Sequence, residues 1–96
     1  MISDKERANE AQFFKAILSL KDEQECADFF DDVATIKELL DMSARLEVAR
    51  LLKSGKVFNE ISQETGASSA TISRVNKCLS YGPGGYKTVL ERIEEK

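Results

Sequence analysis

The stretch "VFNEISQETGASSATISRVNKCL", residues 57 to 79, constrains the fold more than any other part of the chain, because two short helices must meet across it at a fixed angle. Residues 57 to 65 read as a short helix burying Phe58 and Ile61, ending at Gly66, where a positive φ is easiest for glycine. Ser68 then caps a second helix whose inward face is Ile72, Val75, Cys78 and Leu79. Two short helices joined by a tight turn containing Gly follow the helix-turn-helix pattern. The small Ser62 stands four residues before Gly66, where the helices must touch. Ala67 follows the glycine, and Ile72 and Val75 stand six and nine residues after it, where they pin one helix to the other. Val57 is the one departure, since Ser or Thr at the start of the first helix would cap it better by about 1 kcal/mol.

Everything around this stretch is helical in pattern. Ser3 with Glu6 is a capping box for a first helix over residues 4 to 19, with Ala11, Phe14, Ile17 and Leu18 as its apolar set and Phe13 on the flank. Asp22 with Glu25 opens a second, whose stripe is Cys26, Phe29, Phe30 and Val33. Thr35 with Glu38 opens a long third helix to Lys53, stopped at Gly55. Its apolar set is Ile36, Leu39, Leu40, Leu46, Ala49 and Leu52, with Val48 and Leu51 beside it. "SYGPGGYK" ends the second short helix near Ser80, and Tyr86, Val89, Leu90 and Ile93 place a last helix over residues 86 to 95. The pattern predicts an all-α fold of six helices in a single domain over residues 1–96. Residues 1–54 supply dimerisation helices, 57–80 the helix-turn-helix and 86–95 the C-terminal helix. The N-terminal stripes are broader than a chain of 96 residues can cover by itself, which predicts a homodimer core; the alternative is a monomeric bundle.

Charge divides the chain. Residues 1 to 42 hold five basic and eleven acidic side chains, whereas residues 43 to 90 hold seven basic and three acidic, so the formal −3 of the whole hides a basic segment around the helix-turn-helix. That asymmetry is expected when one part of a protein meets a polyanion. The chemistry of catalysis is missing. With no histidine and only Cys26 and Cys78, both expected as buried reduced thiols, the chain lacks zinc ligands and the base of a nucleophilic triad. "GPGGY" follows a helix and opens no phosphate-cradling GKS or GKT, so no enzyme is predicted. No apolar run reaches the ~20 residues of a membrane span, and "MISDKERANEAQFF" has no secretory h-region, which predicts a cytoplasmic protein.

With Ile72, Val75 and Leu79 inward, the second short helix exposes Ser69, Ala70 and Ser73 at its start, flanked by Thr71 and Arg74. Small side chains let a helix end approach base edges, hydroxyls bond bases or phosphates, and methyl groups can touch thymine. Ser68 and the free amides at the helix start offer further donors to a phosphate. Lys53, Lys56 and Lys77 are placed to neutralise phosphates around it. The predicted partner is double-stranded DNA; the alternative is a module that turns the same face to another protein.

The segment "RLEVARLLKSGKVFNEISQETGASSATISR" resembles the Trp repressor family, especially its YerC/YecD-like branch, and the likeness covers nearly the whole chain. It rests on the helix order, the long central helix begun at a Thr, the spacing from Arg45 to Gly55 and the "GA..ATI.R" signature from Gly66 to Arg74. The resemblance implies an all-α intertwined homodimer acting as a transcriptional regulator, a repressor reading a pseudo-palindromic operator. It implies that Ser69, Ala70 and Ser73 match the operator-reading face. Arg45 and Arg74 match the arginines that sandwich a tryptophan co-repressor, with Thr35 at the pocket edge. Val75 stands where tryptophan-binding members carry glycine, and its Cβ and two methyls occupy space the indole or amine needs. Asp32 and Ala34 replace apolar pocket positions, and one residue fewer lies between Gly55 and Gly66. No cofactor is therefore required, and L-tryptophan or another small effector is the alternative. Without an effector, Arg45 is expected in a helix-surface ion pair and Arg74 on a phosphate.

Overall fold

The computed structural model describes residues 1–94. They form six α-helices in two compact units, Met1–Ile36 and the chain from Lys37 onward, and no strand occurs among the described residues. Glu95, the expected last residue of the C-terminal helix, lies outside them.

The first unit holds α1 (Asp4–Leu18) and α2 (Glu23–Val33). The capping box of α1 closes as expected. Ser3 Oγ accepts from the Glu6 amide at 3.1 Å, and the Glu6 carboxylate accepts from the Ser3 amide at 2.9 Å, which holds the Glu6 carboxyl below its ordinary pKa. At α2 the box is displaced by one residue. Asp22 accepts from the Glu25 amide at 2.8 Å, but Glu25 reaches the amide of Lys21 at 3.0 Å. Phe13, expected only on the flank of α1, is the side chain that meets α2, its ring 5.9 Å from that of Phe29, which in turn packs edge-on to Phe30 at 5.5 Å. No side chain of α1 or α2 is buried. Cys26, expected as a buried thiol, is exposed, because two helical stripes cannot enclose each other without a further layer.

The second unit holds the rest of α3 (Ile36–Lys53), then α4 (Phe58–Thr65), α5 (Ser69–Tyr81) and α6 (Gly85–Glu94). Its core is Val48, Ala49 and Leu51 from α3, Ile61 from α4, Ile72 and Val75 from α5, and Leu90 from α6. Leu46, Leu52, Ala67, Leu79 and Tyr86 pack around it. The buried centre of α3 is thus Val48 and Leu51, the expected flank, as well as Ala49. Side chains from three other helices share this core, so more than one stripe of α3 is covered. The opposite correction applies at the edges. Phe58 is 39% exposed, Val89 45% and Ile93 49%, and Cys78 is exposed too. Their spacing is that of a core face, but among the described residues no element of this unit lies over them. The first half of α3 likewise exposes Ile36 and Leu40.

Two glycines shape the connections for different reasons. Gly66 ends α4 with φ +74°, a conformation that costs a residue with a Cβ about 1–2 kcal/mol, although a Cβ there would meet no neighbour. Gly82 ends α5 with an ordinary φ, but a Cβ on it would come 2.5 Å from the Cys78 carbonyl oxygen that its own amide hydrogen-bonds at 2.8 Å. Chemical denaturation checks both readings together with the core. Gly66→Ala should lose about 1–2 kcal/mol. Ile72→Ala, emptying a fully buried position, should lose about 2–5 kcal/mol. Gly82→Ala should fray the end of α5, seen as faster amide exchange at Tyr81 and Gly82.

Candidate nucleic-acid interface

The turn between α4 and α5 is closed by hydroxyl groups. The Gly66 amide donates to the Ser62 carbonyl at 2.8 Å, and Ser62 Oγ donates across the turn to the Ala67 carbonyl at 3.1 Å. Ser62 therefore serves as a strut as well as a small contact residue. Thr65, which helical spacing does not single out, donates to the Ile61 carbonyl at 2.7 Å and accepts from the Ala67 amide at 3.1 Å. Its signal in the sequence is a Thr immediately before the turn glycine, where a hydroxyl can serve the last helical carbonyl and the first amide beyond the turn. Val57, as expected, gives α4 no side-chain cap; Glu60 reaches the Val57 amide at 3.4 Å and supplies half of a box.

Ser68 caps α5 by accepting from the Thr71 amide at 3.1 Å, and its hydroxyl donates to Thr71 Oγ1 at 3.1 Å. These two hydroxyls serve each other. Ser69 and Ser73, with Ala70 between them in the sequence, are exposed and have no side-chain hydrogen bond among the described residues. Ile72 and Val75 are each 1% exposed, so the rotation of α5 about its axis is fixed by the core.

The cations differ in what holds them. Lys56 pairs with Glu64 at 2.6 Å, and that hydrogen-bonded carboxylate raises the ammonium above its ordinary pKa. Lys53 lies 4.0 Å from Glu94. Arg74 and Lys77 are exposed and have no ion pair among the described residues. Arg45 has none either, contrary to the expected helix-surface pair: Asp41, one turn before it, is taken by Lys37 at 2.9 Å, and Glu47 by two nitrogens of Arg50.

Arg45 and Arg74 do come together. With Thr71, Val75, Cys78 and Tyr86 they line a cleft of about 380 Å³ beside α5. Cys78 and Tyr86, assigned to the core by their spacing, are thus cleft residues. Thr71, Arg74, Val75 and Cys78 share one side of a helix at intervals of three and four, which is enough to group them. Thr35, Asp32 and Ala34 belong to the first unit. Among the described residues no group of three or more acidic, histidine or cysteine side chains could hold a metal ion.

A sequence model described as Trp repressor protein matches residues 8–94. The chain belongs to the Trp repressor family. It is 53% identical over 93 residues to the uncharacterized protein YerC of Bacillus subtilis (strain 168), covering 96% of this chain and 89% of that one. A crystal structure of a TrpR-like protein from Eubacterium eligens ATCC 27750 is 54% identical with a TM-score of 0.85, over 88% of this chain and 87% of that one. A candidate Trp repressor from Staphylococcus aureus is 43% identical with a TM-score of 0.88, over 93% and 89% of the two chains. The six-helix all-α architecture of this Trp repressor family member is that of its solved relatives. Membership places it among DNA-binding regulators, a family of regulatory rather than enzymatic proteins. No described helix is long and apolar enough to cross a membrane.

The Lys56–Glu64 pair makes a testable statement about this surface. Glu64→Gln removes the carboxylate and frees Lys56, so anisotropy titrations with duplex DNA should show tighter binding and a salt slope steeper by up to ~0.9 per bound copy. An unchanged slope would mean that Lys56 faces no phosphate.

Proposed function

We propose that this protein is a homodimeric transcription regulator, a repressor, that reads a pseudo-palindromic DNA site with α5 and does not require tryptophan. The observation that carries the reading is the start of α5. An exposed face of Ser69, Ala70 and Ser73, free of internal hydrogen bonds, sits beside the unpaired cations Arg74 and Lys77 on a helix locked into the core by Ile72 and Val75. Such a face can approach base edges closely while the cations engage the backbone. Ser68 and Thr71 contribute chiefly by setting the helix start, and the amides they leave can face a phosphate. Lys56 adds charge near the same surface, damped by Glu64.

A second copy is the natural cover for the apolar side chains that the chain leaves in water, among them Phe14, Leu18, Ile36, Leu40 and Ile93. Two recognition helices in such a dimer would stand about 34 Å apart and face successive major grooves. A protein reading chromosomal DNA in this way acts in the cytoplasm. Light scattering should give twice the monomer mass.

Selection from a random DNA pool should return a two-fold symmetric site. Ser69→Glu should abolish binding to it, and Arg74→Ala should weaken it about tenfold or more, each with unchanged circular dichroism, in line with the ~1–3 kcal/mol of a good base or charged contact. Failure to select any site would point to the alternative, a protein-docking use of the same face.

The cleft of Arg45, Arg74 and Val75 bears on the co-repressor. Guanidinium groups can pair with a carboxylate and stack on a ring, so a small effector has donors there. Val75 is fully buried at its edge, and its methyls belong to the core rather than to a movable surface side chain. Titration calorimetry should therefore detect no micromolar binding of L-tryptophan by the protein. Micromolar binding would show that Val75 leaves room for the indole.

A further inference from the structure

Helix α5 has a second cleft on its other side. Its volume is about 270 Å³, and Leu52, Lys53, Asn76, Leu79, Ser80 and Lys87 line it. The arginine cleft opens on the side of Thr71, Arg74, Val75 and Cys78, whereas this one opens on the side of Asn76, Leu79 and Ser80. Two leucines, two lysines, an amide and a hydroxyl thus share its lining. No carboxylate lines it, and Glu94, at 4.0 Å from Lys53, makes only a marginal pair. Lys87, Asn76 and Ser80 have no ion pair or side-chain hydrogen bond among the described residues. Within a chain of net charge −3, this is a place where positive charge and hydrogen-bond donors gather with only the marginal Lys53–Glu94 pair to meet them among the described residues.

The cleft is continuous with the DNA-reading face. Ser69, Ser73, Asn76 and Ser80 follow one another at intervals of four, three and four residues, so they form a single polar line along α5. Eleven residues of helix span about 16 Å. The major groove is about 12 Å wide, and its edges are rows of phosphates. A helix whose first turn meets base edges therefore carries its far end past the groove edge, where a lysine reaching from either side finds a phosphate rather than a base.

We propose that Lys53, Asn76, Ser80 and Lys87 form a phosphate site that grips the DNA backbone at the far end of α5, opposite the arginine cleft. The site fixes how the helix is seated in the groove and carries affinity without reading sequence. It rests on the DNA-binding reading above. Lys87 supplies the unpaired charge, Lys53 turns from Glu94 to the phosphate, and Asn76 and Ser80 donate to its oxygens.

The test measures binding of the full-length protein to its selected DNA site between 50 and 200 mM salt. Removing one phosphate-bound cation from each subunit of the dimer makes the log–log salt slope shallower by about 1.8, so the fourfold rise in salt should weaken the wild type about 12-fold more than such a variant. Lys87→Gln and Lys53→Gln should each show that change while the ranking of related DNA sites stays as in the wild type. Asn76→Asp should weaken all sites alike, and Glu94→Gln, which removes the competing carboxylate, should strengthen them. All four positions are on the surface, and circular dichroism checks that each variant is folded. Wild-type binding with slopes unmoved by Lys53→Gln and Lys87→Gln overturns the site and leaves the DNA-reading role intact; no selected site for the wild type overturns both. Inorganic phosphate, added at constant ionic strength, separates the two sources of the same group. Submillimolar binding of free phosphate, abolished in Lys87→Gln, would make this a site for a small phosphorylated molecule and overturn the assignment to the DNA backbone.

Discussion

The burial of Ile72 and Val75 against Ile61 and the second half of α3 is the contact on which the rest of the surface depends. A helix proposed to present Ser69, Ala70 and Ser73 to a groove is useful only if its rotation about its own axis is fixed, since a turn of about 100° brings a neighbouring residue to the front. Two β-branched side chains three residues apart, each nearly devoid of exposure, hold that angle. The turn before them is held at both ends, by Gly66 in the left-handed region and by the hydroxyls of Ser62 and Thr65. The exposed face is thus the consequence of the buried one.

Because α5 is fixed, its two flanks acquire different characters. Arg74 joins Arg45 on one side, and Asn76 and Ser80 join Lys53 and Lys87 on the other. The distribution of ion pairs then decides which charges remain for a partner. Acids of the basic segment satisfy Arg50 and Lys56 at close range, and Arg45, Arg74, Lys77 and Lys87 have no ion pair among the described residues. Exposed pairs contribute little to stability, so their consequence lies in the field the surface presents. Val75 ties the two aspects together. It is a core residue by burial and a cleft residue by position, so the packing that orients α5 also narrows the space beside its arginines.

Local signals were legible where the physics is local. The caps at Ser3, Asp22 and Ser68, the stops at Gly55 and Gly66, and the order of helices all follow from hydrogen bonds and backbone preferences within a few residues of one another. Helical spacing also placed Ile61, Ile72, Val75 and Leu90 correctly in the core. The same spacing misplaced Phe58, Cys26, Cys78, Val89 and Ile93. Periodicity says which side chains share a face; it says nothing of whether another layer covers that face. Phe13 shows the converse, an off-stripe residue that became a contact because α2 approached from its side.

By itself, the sequence determined the six helices, the helix-turn-helix and the small polar face at the start of α5, because each is set by interactions over a few residues and by the turn chemistry of one glycine. Tertiary structure decided which cations are met from another helix. The Lys37–Asp41 pair is local to α3, but Lys56 has a partner because the fold brings Glu64 of α4 to it. It alone placed Lys87 of α6 beside Lys53 of α3 across α5. Charge partners and clefts depend on distances between segments remote in the chain, and those distances exist only after the core has fixed the helices.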